Sequence, residues 1–162
     1  MTGDKTRTYS FHRSYQHIFK MIIGYTTGVF DLFHIGHLNL LRRAKAQCDY
    51  LIVGVTVDEL VLYKNKHAVI PFEERIEIVR SIKYVDEAVP QVNMNKMEAW
   101  EKYHFNRMFV GDDWKGTEKW NRIEDEMRSV GVELVYFPYT KGTSSTLINQ
   151  VLLKLRDNDG VF

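Results

Sequence analysis

From residue 21 onward, short apolar runs alternate with amphipathic stretches. Met21 to Tyr25 reads as a buried strand, and Leu51-Ile-Val-Gly-Val-Thr-Val57 is a β-branched run typical of a strand covered on both faces. Between them Leu38, Leu41, Ala44 and Cys48 recur at spacings of three and four, the period of an amphipathic helix. Asp58 suits the cap of a short helix through Tyr63, which gives way to Lys64-Asn65-Lys66-His67. Pro71 suits the first turn of the next helix, with Phe72, Ile76, Val79 and Ile82 inward and Glu73, Glu74, Arg75 and Glu77 largely outward. Val85 to Pro90 reads as a strand, Lys96 to His104 as a helix and Met108 to Gly111 as a strand. Trp120, Ile123, Met127 and Val130 mark a further helix, stopped by Gly131 at C′. Val132 to Phe137 is the last strand, and Ile148, Val151, Leu152 and Leu155 stripe the last helix.

Such alternation predicts an α/β fold, a Rossmann-like, doubly wound, five-stranded and mainly parallel sheet in a single domain. Ligands of such sheets bind beyond the carboxyl ends of the strands. The three least regular stretches, 26–37, 64–67 and 139–146, each follow or adjoin a predicted strand end.

Composition narrows the function classes. The 162 residues are 44% hydrophobic and 27% charged, ordinary for one soluble globular domain. A formal net charge of +1 gives no broad electrostatic case for nucleic acid or a membrane surface as partner. No apolar run approaches the roughly 20 residues that span a bilayer. Cys48, the single cysteine, lies on an apolar helix stripe and reads as core filler. Residues 1–19 read as a separate extension, in which Lys5, Arg7 and Arg13 stand with Tyr9, Phe11, Tyr15 and Phe19. They lack the apolar segment and cleavage site of a secretory signal, so the cytoplasm is the expected compartment. The arm is expected to dock on the domain or on a second subunit.

The candidate chemistry begins at His34-Ile-Gly-His37, where a strand hands over to a helix. Histidines three apart on a first helical turn project from the same side. Gly36 between them is expected to let a ligand approach the backbone. A helix start adds unpaired N–H groups and the positive end of the dipole, which together suit a polyphosphate. Lys64 and Lys66, with Arg75 on the following helix, form a second cluster of positive charge able to surround phosphoryl oxygens. The third is Thr140-Lys-Gly-Thr-Ser-Ser-Thr146, whose hydroxyls and N–H groups can cap the last helix or hold an anion. For Ser144 taken alone, capping is the simpler role.

Gly28-Val-Phe-Asp-Leu-Phe-His-Ile-Gly-His37 resembles the nucleotide-binding element of the nucleotidylyltransferase superfamily, with its His-x-Gly-His motif. Tyr139-Thr-Lys-Gly-Thr-Ser-Ser-Thr146 stands where the cytidylyltransferases carry Arg-Thr-Glu-Gly-Ile-Ser-Thr-Thr. The resemblance is closest to the glycerol-3-phosphate cytidylyltransferases and supports a nucleotidylyltransferase domain over 20–157, with 158–162 as a tail. It implies attack of a phosphomonoester on the α-phosphate of CTP, with pyrophosphate leaving. His34, His37 and Lys66 are then implied as catalytic and triphosphate-binding residues. Gly28, Val29, Phe30, Asp113, Thr140, Gly142, Thr143, Ser144, Ser145 and Thr146 are implied around the nucleotide. Lys64, Arg75 and Tyr139 are implied on the side of the acceptor. Asp31 is expected to position the turn. Mg2+ is implied with CTP, bound largely by substrate oxygens, with no protein metal cage. A homodimer is a further implication.

The chain departs from the family at Tyr139 and Lys141, where the family has arginine and glutamate. Tyrosine lacks the planar fork that binds phosphate in a bidentate manner. The departure leaves the acceptor open, and an ATP-using adenylyltransferase or a catalytically lapsed nucleotide-binding module are competing readings.

Overall fold

The computed structural model describes residues 21–63 and 66–159. Five strands form one sheet: β1 (Ile23–Gly28), β2 (Tyr50–Thr56), β3 (Glu87–Gln91), β4 (Arg107–Gly111) and β5 (Glu133–Phe137). Their order is β3-β2-β1-β4-β5, and every pairing is parallel. Each crossover carries a helix: α1 (Ile35–Lys45), α2 (Asp58–Tyr63) with α3 (Phe72–Arg80), α4 (Lys96–Tyr103) and α5 (Glu118–Ser129). A last helix, α6 (Ser145–Asp159), follows β5.

Alternation along the strands divides the core between the two faces of the sheet. Leu51, Val53, Val55 and Phe109 pack with Leu41 and Ala44 of α1 and Ile76 and Val79 of α3. Ile23, Tyr25, Ile52, Met108 and Val110 pack with Met127 of α5 on the opposite face, against which Met97 and Trp100 of α4 also lie. The strand order reverses direction at β1, so the β1–β4 edge is the switch point where such sheets open a crevice. Cys48 is half-buried and donates to the Ala44 carbonyl, and burial pushes its thiol up to about 11. It stays protonated at neutral pH and belongs to the packing.

The structure differs from the sequence pattern in two places. Arg75 does not face outward: its residue exposure is 0%, on the buried face of α3. The apolar stripe of the last helix is not covered, with Val151, Leu152 and Leu155 at 48%, 47% and 54% exposure. A 3.6-residue period shows that a helix has an apolar face, whereas a partner for that face depends on where the chain leads the helix. Ser144 Oγ caps the α6 start by accepting from the Leu147 amide, and Ser145 Oγ fastens it to the body by donating to the Asp31 carbonyl. From Gln150 to Asp157 every residue is exposed. The expected docking of residues 1–19 lies outside the described residues. Among the described residues no helix is long and apolar enough to cross a membrane.

Candidate active site

The turn after β1 is held in an unusual backbone shape. Phe30 and Leu32 have φ of 55° and 48°, the left-handed region that side-chain-bearing residues rarely adopt. Asp31 stabilises it. Its Oδ1 accepts from the Leu32 and Ile70 amides at 3.0 and 2.9 Å, and its Oδ2 accepts from the Val69 amide at 2.8 Å. One carboxylate thereby ties the turn to the segment that follows Lys66, while its own carbonyl receives Ser145 of α6. Three irregular stretches far apart in sequence meet at this residue.

His34 is the N-cap of α1. Its Nδ1 accepts from the Gly36 amide at 3.0 Å, and His37 Nδ1 accepts from the His34 amide at 3.3 Å. The two imidazoles stack with centroids 3.9 Å apart, and the Phe30 ring meets His37 edge-on at 5.3 Å. An Nδ1 that accepts is unprotonated, so each neutral ring carries its proton on Nε2. The arrangement therefore presents two Nε2–H donors at the start of an 11-residue helix with no acid in its first turn. Burial lowers the pKa of His34. Burial, reinforced by His34 and opposed by Asp31, lowers that of His37 to about 4. Both rings are neutral at pH 7.

This depression has a sign for stability. The unfolded chain takes up a proton at His37 near pH 6.5, well before the folded one does at about 4. Stability is expected to fall as pH drops from about 6.5 toward 4. Urea midpoints at pH 7 and 5 check it: the native protein is expected to lose more than His37→Asn, whose side chain does not titrate.

Gly36 makes room for the His34 ring. A Cβ at this position would lie 2.7 Å from His34 Cε1 and 2.9 Å from Nδ1. Gly36→Ala is expected to displace the ring and lower turnover at least about tenfold, because misplacement by about 1 Å can cost 10²-fold. The helix itself gains up to about 1 kcal/mol of propensity from that exchange. Displacing the ring also loosens the His34 cap, which costs about 0.5–2 kcal/mol, so lost turnover with an unchanged or lowered melting temperature is the expected pair of results.

Arg75, read from the sequence as an acceptor-phosphate ligand, is corrected by the structure. Its Nε donates to the Ile70 carbonyl, its Nη1 to the carbonyls of Val29 and Thr56, and its Nη2 to Asp58 at 2.6 Å. A fully buried guanidinium with four protein acceptors braces the Gly28-Val29-Phe30 turn against the end of β2. Asp58 likewise has a longer reach than a local cap. Its Oδ2 accepts from the Phe72 amide, serving the start of α3, where Pro71 supplies no side-chain cap.

The remaining predicted residues fall around this centre. Lys66 is exposed in the loop after α2, whereas Lys64 lies outside the described residues. Asp113 is exposed in a single 3₁₀ turn, Asp112–Trp114, at the carboxyl end of β4. Thr140 Oγ1 is within 3.4 Å of Asn39 Nδ2, which places the 140–146 segment beside α1. Gly142 has φ of 102° and open space around it. Thr143 is half-buried, whereas Thr146 and Tyr139 are exposed. Ser144 and Ser145 have structural partners, as a helix cap and a tie to Asp31. Asn39 and Lys96 escaped the sequence reading: neither belongs to a motif, and only the fold brings them to this end of the sheet.

A doubly wound parallel sheet with stacked histidine donors at the first strand-to-helix turn defines a nucleotide-binding α/β protein. The chain belongs to the cytidylyltransferase-like family, whose model matches residues 25–151. It is 40% identical over 131 residues to a glycerol-3-phosphate cytidylyltransferase of Bacillus subtilis, covering 80% of this chain and 96% of the relative. It is 35% identical to an ethanolamine-phosphate cytidylyltransferase of Mus musculus, covering 78% of this chain and 31% of that longer protein. A solved lipopolysaccharide core biosynthesis protein from Thermoplasma volcanium shares the fold with a TM-score of 0.64 at 24% identity, covering 76% of this chain and 99% of its own.

Proposed function

We propose that this protein is a cytidylyltransferase that moves the cytidylyl group of CTP onto a small phosphorylated alcohol. The observation that carries the reading is the pair of Nε2–H donors fixed by the His34 and His37 cap, in a chain that matches a glycerol-3-phosphate cytidylyltransferase across nearly the whole length of that relative. An oxygen of the acceptor phosphate attacks the α-phosphorus. The bond from that phosphorus to the bridging oxygen of the β-phosphate breaks, and pyrophosphate leaves with a CDP-linked product. Such transfer depends on positioning and on charge stabilisation. His34 and His37 donate to the triphosphate oxygens, and Lys66 approaches the same phosphates from its loop. Lys64 is assigned to the incoming phosphate and Tyr139 to the acceptor. Gly28, Val29 and Phe30 line the nucleotide through the backbone, with Asp113 toward the base. Thr140, Gly142, Thr143 and Thr146 form its far wall, and Ser144 and Ser145 hold that wall in place.

Among the described residues no group of three or more His, Cys, Asp or Glu side chains is placed to hold a metal ion. Asp31 is engaged by three backbone amides. The reading puts Mg2+ largely on the triphosphate's own oxygens, because Mg2+ dehydrates reluctantly and keeps several waters. A cytoplasmic homodimer belongs to the same reading. Pyrophosphate release from CTP, ATP, GTP and UTP, each against a panel of phosphorylated polyols and amino-alcohols, tests it. Turnover with CTP and a phosphorylated alcohol is expected. Turnover with ATP alone would move the enzyme to the adenylyltransferases, and no turnover in any pair would make it a binding module.

A further inference from the structure

We infer that Arg42 and Asn39 of α1 are positioning residues for the triphosphate, which together turn the Thr140 hydroxyl into a preset donor. The inference rests on the cytidylyl-transfer reading and adds two residues to that site. Tyr139 leaves the head of the 139–146 segment without a guanidinium, and α1 brings two toward it. Arg43 Nη1 donates to the Pro138 carbonyl at 3.3 Å, and Arg42 Nη2 donates to Asn39 Oδ1 at 2.6 Å. Asn39 Nδ2 in turn donates to Thr140 Oγ1 at 3.4 Å, across 101 residues of sequence. A Cβ on Gly36 would stand 3.8 Å from Thr140 Cβ, so the threonine lies against the first turn of α1, beside both histidines.

Chemistry sets the direction of this chain. Arginine only donates, so the Asn39 carboxamide turns its oxygen toward Arg42 and its NH2 toward Thr140. That NH2 also only donates, so Thr140 Oγ1 accepts and its own hydrogen is left for an acceptor on its other side. The histidines follow the same logic, since their Nδ1 atoms accept and leave Nε2–H to donate. The bond from Arg42 is charge-assisted, and the cation at the head of the chain polarises each bond after it. Thr140 thereby adds a third aimed donor at the start of α1, where phosphate oxygens are favoured.

The test is steady-state kinetics with CTP and the best phosphorylated alcohol of the panel, on the native enzyme, Thr140→Val, Thr140→Ser, Asn39→Leu and the Thr140→Val/Asn39→Leu pair. Thr140→Val and Asn39→Leu are each expected to lower kcat/KM for CTP about tenfold, with KM for the acceptor unchanged. Thr140→Ser keeps the hydroxyl and is expected to stay within about twofold of native. The pair is expected to match Thr140→Val alone, because Asn39 acts only through the hydroxyl. Losses that multiply in the pair overturn the inference, since Asn39 then acts by another route. A native kcat/KM for CTP in folded Asn39→Leu overturns it too. Where Asn39→Leu does not fold, Arg42→Met at its exposed position decides. A loss of about threefold is expected there, vanishing in the Thr140→Val background, and no loss overturns the inference. Absence of turnover with CTP and every acceptor instead defeats the cytidylyl-transfer reading itself. The same variants are then compared by calorimetric CTP binding, where an unchanged affinity, or no binding by the native protein, overturns the inference.

Discussion

Replacing either His34 or His37 with alanine is expected to lower turnover about 10²–10³-fold, the loss typical of one preorganised donor to developing charge. Each imidazole holds its proton on Nε2 because its Nδ1 is taken by a backbone amide. The donors are therefore aimed before substrate arrives and need no reorientation during transfer. Alanine removes more than a donor, however, since the same rings cap α1. The lost cap adds about 0.5–2 kcal/mol of destabilisation. His34→Asn separates the two effects. Its carboxamide oxygen can still accept from the Gly36 amide, yet it cannot place a donor where Nε2–H stood. Circular dichroism, urea midpoints and turnover on His34→Ala, His34→Asn and His37→Ala decide the matter. Native stability with collapsed turnover is expected for His34→Asn, and near-native turnover in any variant would remove the histidines from catalysis.

The second large effect concerns stability. Arg75→Met is expected to destabilise the fold by about 3–5 kcal/mol, because three carbonyls lose their donor at about 1–3 kcal/mol each. Asp58 is 42% exposed, and water can take the guanidinium's place there. It leaves the carbonyls of Val29, Thr56 and Ile70 and the Asp58 carboxylate without their donor. Arg75→Lys restores the charge but not the fork: an ammonium has three donors on one atom and cannot reach four acceptors spread around a plane. It is expected to remain well below native stability. The comparison also separates bracing from phosphate binding. A phosphate-binding arginine at a surface would let lysine keep native stability while KM for the acceptor rises. A bracing one loses stability, and turnover falls because the Val29 carbonyl and its turn shift. Urea midpoints with acceptor KM on Arg75→Lys measure both.

Much of the architecture was legible in local pattern. The continuous apolar run Leu51–Val57 reports a strand covered on both faces, and period-3.6 spacing in Leu38, Leu41 and Ala44 reports which side of a helix faces the core. Five such strands separated by helices leave few topologies other than a doubly wound parallel sheet, because crossovers are right-handed. The site's centre was equally local. His34 and His37 lie one helical turn apart just after a strand, so their shared face followed from spacing, and Gly131 at φ of 80° ends α5 as its identity requires.

What tertiary structure decided is the set of contacts that leave no periodic trace. Asp31 reaches Val69 and Ile70 across 38 and 39 residues, and Arg75 reaches Val29 across 46. Both residues sit among charged or irregular neighbours in sequence, where a solvated role is the default. Only the folded path of β1, β2 and α3 brings buried carbonyls around the guanidinium, and a buried carbonyl without water requires a donor. The same holds for Lys96, whose burial against Thr27 no periodic pattern signals. For α6 the outcome is reversed: its apolar stripe is plain in the sequence, but the chain leads it away from the core after Asn149. Hydrophobic period records that a face is apolar, and the partner of that face is set by the three-dimensional course of the chain.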